Sequence, residues 1–308
     1  MATSQDFVNW VCDPTVLDWR YLRWVLMAET ASLQRWAHGT THQTIYFPEV
    51  KAFHLAAPSV EEQRTIADVL GALDDKIESN RRVAAAAEAL LEHALVGAPS
   101  GQTEPLSAVA EFRNGGAITK LANGAGPPII RIKEMRSGIG GATLRTDVPI
   151  RAEHHVQPGD LLFSWSGTLL TVRWDGPAAL LNQHVFRVDP RPGLQRWMVE
   201  AWVKQHLPSF RAIAEDKATT MGHIQRRHLD EASVVVPNDD ELSRLHAQWT
   251  PVDQLRVGLL AEARSLVAIR DGLLPKLVSG AIRVPVSNDP EEGLGIAASQ
   301  LEEEPAAS

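Results

Sequence analysis

Cysteine is almost missing from this chain: Cys12 is the only one in 308 residues. That excludes an internal disulfide and any zinc site built on several thiolates. Long apolar runs are missing too. No stretch of about 18 consecutive apolar residues occurs, so no membrane-spanning helix is expected. Met1 to Cys12 lack the basic start and apolar centre of a signal peptide, and a cytoplasmic location is the expectation. Neither a Walker phosphate loop nor a dinucleotide glycine pattern is present, so no nucleotide cofactor is expected in this chain. What is there is ordinary for a globular protein, with 44% apolar and 22% charged residues. The length suggests roughly two units at about 150 residues each.

The net charge of −8 conceals an uneven distribution. Residues 101–238 hold 16 Lys+Arg against 13 Asp+Glu, and six of the 11 histidines. The remainder holds 14 against 25, and six acids after Arg283 face no basic residue. A local basic face is permitted, and a strongly basic protein is not.

A repeat organises the rest. Trp19 and Trp24 are five apart, as are Trp197 and Trp202. Thr40-Thr41, Ile45 and Pro58 recur as Thr219-Thr220, Ile224 and Pro237 at a constant offset of 179. Each proline precedes an acidic helix start and a long apolar-periodic segment. Only the second copy is preceded by a full strand-rich segment, so the chain reads as one and a half units.

The long helices are the clearest elements. Ser59 can cap the first, with Glu61 and Glu62 at the positive end of its dipole. Ile66, Leu70, Leu73, Ile77, Asn80, Ala84, Ala87 and Leu91 then recur in steps of three and four, a coiled-coil seam. Thirty-six residues make a rod of about 54 Å. The second has Leu242, Leu245, Trp249, Val252, Leu255, Leu259, Leu266, Ile269, Leu273 and Leu277, with a kink or restart expected at Pro251. Two helices of an ordinary bundle core would show the same periodicity.

Between them lies a mixed segment. Val156–Asp160 reads as a turn before a strand over Leu161–Trp165, and Val185–Val188 and Pro127–Ile132 read as further strands. Arg196–Ala214 reads as helix with a break at Pro208. The fold class expected is α/β (α+β): a mixed globular module flanked by two long antiparallel coiled-coil helices.

Catalytic readings find little support. His154-His155 and His223/His228 lack the i, i+4 spacing of helical metal ligands. Phe163-Ser164-Trp165-Ser166-Gly167 lacks the first glycine of a nucleophile elbow. Asp160 with Glu215-Asp216-Lys217 supplies the residue types of a magnesium nuclease, but the parts lie 55 residues apart. Nucleic-acid binding fits better. Arg131, Lys133 and Arg136 cluster at a strand end. Lys217, Thr220, His223 and Arg226 follow the Trp-rich helix. Asn182-Gln183-His184 places two amides and an imidazole before a strand, and Ser164 ends another. Amides pair with adenine edges and arginine with guanine, while Lys, Ser and Thr hold phosphates. A solvated charged face would use the same residue types.

Ala57-Pro58-Ser59-Val60-Glu61-Glu62-Gln63-Arg64-Thr65-Ile66-Ala67-Asp68-Val69-Leu70-Gly71-Ala72-Leu73-Asp74-Asp75-Lys76-Ile77 strongly resembles the conserved helical region of the specificity subunit of Type I restriction-modification systems. Leu273-Leu274-Pro275-Lys276-Leu277-Val278-Ser279-Gly280 resembles the end of that family's second helix. Leu161–Gly167 and Asn182-Gln183-His184 resemble strand motifs of its target-recognition domains, and Thr219–Ile224 resembles the closing turn.

The resemblance implies a non-catalytic subunit in which each globular domain reads half of a split double-stranded DNA site. The paired helices set the gap and dock modification subunits. Those subunits carry S-adenosylmethionine, and a restriction subunit uses ATP and magnesium. It implies domains at 1–57 (the remainder of a first recognition domain), 58–100 (first helix), 101–238 (complete recognition domain), 239–283 (second helix) and 284–308 (a disordered acidic tail). Helix residues Ile66, Leu70, Leu73, Ile77, Leu259, Leu266, Leu273 and Leu277 would bind partners. The short first domain departs from the family pattern and fits a truncated gene, a late start or a half-subunit that self-associates. A coiled-coil adaptor, or the remnant of a truncated subunit, is the alternative.

Overall fold

The computed structural model describes residues 8–37, 44–96, 101–216 and 222–284. Along the chain run α1 (Trp19–Ala28), α2 (Thr30–Trp36), α3 (Phe47–Lys51), α4 (Val60–Val96), β1 (Gly101–Pro105), α5 (Leu106–Val109), β2 (Ala110–Asn114), β3 (Ile129–Ile130), α6 (Ile132–Ser137), β4 (His155–Val156), β5 (Leu161–Ser164), β6 (Thr171–Arg173), β7 (Ala179–Leu181), β8 (Val185–Pro190), α7 (Arg196–Asp216), α8 (Arg226–Glu231), β9 (Ser233–Pro237) and α9 (Asp239–Ser279). The chain divides into two compact units, residues 1–79 with 262–308 and residues 80–261. Both long helices contribute residues to each unit.

The first unit is helical. Ser59 and Glu62 form a capping box at the start of α4: Ser59 Oγ accepts from the Glu62 N–H at 3.3 Å, and the Glu62 carboxylate accepts from the Ser59 N–H at 3.2 Å. Its seam then buries Ile66, Leu70 and Leu73 against Tyr21 and Trp24 of α1 and Leu273 and Leu277 of α9. Asp74 pairs with Arg270 at 2.6 Å and Lys76 with Glu262 at 3.5 Å, so α4 and α9 run antiparallel here. Gln63, fully buried, fastens the entry of α1: its amide donates to Val16 and Pro58 carbonyls and accepts from the Asp18 N–H. The two tryptophan pairs of the repeat part company here. Trp24, Trp197 and Trp202 are buried, whereas Trp19 is 67% exposed.

Among the described residues, strands β1 to β9 all lie in the second unit. A four-stranded antiparallel sheet runs β2-β8-β5-β6, a three-stranded mixed sheet runs β3-β7-β4, and β1 pairs with β9. All four residues of β5 are buried. Leu161 and Phe163 face Trp197, Trp202 and Phe210 of α7, and Leu162 faces Ile130, Trp174 and Leu181 on the other side. Burial on both faces is why β5 reads as a continuous apolar run. Leu91 of α4 and Leu245 of α9 belong to the same core as α7.

Three expectations need correction. Both α7 and α9 run unbroken through Pro208 and Pro251, so the break at Pro208 and a restart at Pro251 are absent. Each proline lies on an exposed position of its helix, where the carbonyl one turn back can turn to water. The strand expected over Pro127–Ile132 shrinks to Ile129–Ile130, because Glu134 caps a helix that begins at Ile132. The Thr219-Thr220 turn lies outside the described residues.

Buried charge joins strand, helix and long helices within this second unit. Glu200 of α7 accepts from Arg173 of β6 at 2.8 Å and from Arg256 of α9 at 2.6 Å, and Asp253 accepts from Arg256 at 2.9 Å. Lys204 pairs with Glu88 and Glu92 of α4. Burial alone would push the Glu200 carboxyl up, but Arg256 and Arg173 hold it below the ordinary glutamate value.

Candidate nucleic-acid interface

Several strand termini of the second unit converge at one edge. Strands β3 and β7 run parallel, so both end on the same side, where the Asn182 N–H donates to Ile130 O at 3.0 Å. The end of β2 arrives antiparallel to β8: the Gly116 N–H donates to Leu181 O, and Gly116 O accepts from the Gln183 N–H at 2.9 Å. A Cβ on Gly115 would lie 2.3 Å from the carbonyl oxygens of Leu181 and Asn182, so this crossing requires glycine. Strand β5 ends opposite Val185, and beyond it Trp165 and Gly167 hydrogen-bond with the 222–224 segment.

On that frame stands a small aromatic and polar cluster. The Trp165 ring lies 5.6 Å from the His184 ring, 6.1 Å from Phe186 and 6.3 Å from His223. Its Nε1–H donates to Gln183 O at 3.1 Å. Ser166, buried, holds His184 Nδ1 at 3.0 Å, and Gln183 Nε2 meets His184 Nε2 at 3.2 Å. The Asn182 side chain accepts from the His184 N–H. Arg226 opens α8, donates to Phe112 O at 3.0 Å and sets its guanidinium 5.6 Å from the Phe186 ring centre. Asn182, Gln183, His184, His223 and Arg226 are thus gathered in one place. Trp165, Ser166 and Phe186 belong with them and were not singled out from sequence as contacts. A tryptophan closing an apolar run and followed by Ser-Gly is the pattern that marks Trp165 and Ser166.

Other expected residues are placed differently. Arg131 lies where β3 ends, but its guanidinium grips the fully buried Glu134 at 2.7 and 3.0 Å. Burial would raise the Glu134 carboxyl, and Arg131 outweighs it and holds it below the ordinary value. Lys133 and Arg136 are exposed on α6. Ser164 is fully buried, donates to Thr168 O and accepts from the Leu170 N–H, so its hydroxyl is used inside the β5–β6 turn. Lys217 and Thr220 lie outside the described residues. Asp160 accepts from the Gln157 N–H within its own turn and faces Arg196 at the start of α7. His154 Nδ1 and His155 Nε2 each donate to a backbone carbonyl.

The helix residues expected to bind partners are mostly spent inside the chain. Ile66, Leu70, Leu73, Ile77, Leu273 and Leu277 are buried, and Leu259 and Leu266 are half-buried. Ile66, Leu70, Leu73, Leu273 and Leu277 share one core cluster, with Leu266 packed against it, so there the two helices close on each other. The apolar residues that point outward are Val83 and Leu90 of α4 and Leu255 of α9 in the second unit, and Ile269 in the first.

No family model and no curated protein matches this sequence. Solved structures do. The crystal structure of the S subunit of a Type I restriction-modification system from M. genitalium matches with a TM-score of 0.50 at 18% identity, over 86% of this chain and 74% of that one. The chain has the fold of a Type I S subunit. Two further structures match at lower TM-scores. The HsdS subunit from Thermoanaerobacter tengcongensis scores 0.39 at 18% identity over 87% of this chain and 71% of that one. A structure of complex assembly and conformational transition of the type I R-M system scores 0.37 at 20% identity over 88% and 73%. Among the described residues no helix is long and apolar enough to cross a membrane.

Proposed function

We propose that this chain is the DNA-specificity subunit of a Type I restriction-modification complex and that the strand-end cluster of its second unit reads the bases. The gathering of Trp165, Gln183, His184, His223 and Arg226 at one edge carries the proposal. Amide, imidazole and guanidinium groups supply the donors and acceptors that base edges in the major groove demand. Lys133 and Arg136, exposed on the helix that follows β3, suit phosphates. The S-subunit fold supports the reading, since the M. genitalium protein is a restriction-modification subunit.

The chemistry belongs to partners. Modification subunits would bring S-adenosylmethionine and methylate adenine, and a restriction subunit would bring ATP and magnesium. Val83, Leu90 and Leu255 are the side chains best placed to dock them, because the seam leucines face inward. Such partners also relieve the charge problem of an acidic chain on DNA, by sharing the phosphate contacts.

Selection from a random double-stranded DNA library tests the reading. The full chain, with its modification subunit, enriches one defined sequence. Arg226→Ala relaxes one position of it by about 1–3 kcal/mol. Enrichment of no sequence, with the long helices still binding protein, would instead identify an adaptor.

A further inference from the structure

We propose that the first unit carries a docking face for a strand-rich module of the kind that residues 101–184 form in the second, and that a separate polypeptide supplies it. The repeat, followed element by element, locates the face. Helix α3 begins at Phe47 and α8 at Arg226, and α4 begins at Val60 and α9 at Asp239, each pair at the offset of 179. Through α1 the offset is 178, which brings Val8, Trp10, Pro14, Val16 and Trp19 onto Phe186, Val188, Pro192, Leu194 and Trp197. In the second unit Phe186, Val188, Leu194 and Trp197 lie in one core and are at most 9% exposed. Their counterparts Val8, Trp10, Val16 and Trp19 are 43–67% exposed.

What covers the second set identifies what the first set lacks. Phe112 of β2 stands opposite Val188, Phe163 of β5 stands opposite Phe186, and both belong to the core around Trp197. Strand β1 pairs with the whole of β9. The counterpart of β9 is residues 54–58, an extended segment that no strand pairs with among the described residues. One stretch of chain, β1 through β6, thus covers both surfaces in the second unit, and both are open in the first. They adjoin there, since the Tyr21 hydroxyl of α1 donates to Ala56 O at 2.9 Å. The other side of α1 is already satisfied, with Tyr21, Trp24 and Val25 buried against the long helices. Exposed aromatic side chains next to an unpaired extended segment are what a partner sheet covers. The sheet of a second copy does not fit, because its own α7 and β9 already close it. The partner's chemistry follows: antiparallel strands with aromatic and aliphatic residues on one face, and one strand free to add along 54–58.

Co-expression of the full chain with a tagged polypeptide of residues 101–184 tests the proposal, since that segment brings the covering strands without β8, α7 or β9. We expect an equimolar complex by light scattering. Trp19→Asp, at an exposed residue, should weaken retention on the order of tenfold or more. The same segment joined ahead of Val8 of the full chain keeps the test decisive where the free segment does not fold. Trp19 should then become several-fold less accessible to acrylamide, read against the Trp19→Phe form. No retention, together with unchanged quenching, would overturn the proposal. Retention that Trp19→Asp does not weaken would overturn it too, because the segment then exchanges into the second unit. A full chain that dimerises alone, and that Trp19→Asp makes monomeric, would name a second copy as the occupant and contradict the proposal.

Discussion

Arg131 and Gln183 both follow a strand end in sequence, yet the fold uses them differently. Arg131 turns back to neutralise buried Glu134, so its first role is structural. Arg131→Ala should cost about 1–3 kcal/mol of stability by leaving that carboxylate unpaired, as urea unfolding would register. The Glu134 carboxyl titrates below the unfolded value, so its contribution is present above the ordinary glutamate range and is lost as pH falls through the lower, folded value. Glu134→Gln should therefore weaken the protein at neutral pH and flatten its acid unfolding. Gln183 keeps its side chain exposed. Nothing in a one-dimensional pattern separates the two, because what differs is a carboxylate three residues on whose burial only the fold decides.

At the scale of elements, the helices were legible and their prolines misleading. Seam periodicity and the Ser59 cap located α4, since both depend on neighbours one turn away. Pro208 and Pro251 failed as breaks because tertiary packing of Trp197, Trp202 and Phe210, and of Leu245, holds the turns around them. The residue types of the strand-end cluster were legible as well. Their convergence was not, because it depends on β3 running parallel to β7 and on β2 and β5 meeting the start of β8. Nor did the sequence announce Glu200, whose partners lie 27 and 56 residues away. Glu200→Ala would strand Arg173 and Arg256 in the interior and should destabilise the protein by about 3–5 kcal/mol, measured by denaturant unfolding.

At the scale of the whole molecule, the described apolar residues of the two long helices divide between an inward seam and a few outward positions. Leu70→Ala, in the seam, should cost about 2–5 kcal/mol of folding stability. Leu90→Asp, at a residue 54% exposed, should leave the melting temperature unchanged and abolish co-purification with the modification subunit. The opposite pattern would place the docking face elsewhere. The acidic balance of the chain belongs at this scale too: a net −8 chain suits a subunit that holds DNA in company rather than alone.

The most direct test maps methylated adenines across the DNA of a host that makes the modification subunit with and without this chain. Methylation confined to one defined sequence, and present only when the chain is present, is the result expected of a specificity subunit. The same methylation without the chain, or none with it while the two subunits still form a complex, would contradict the account.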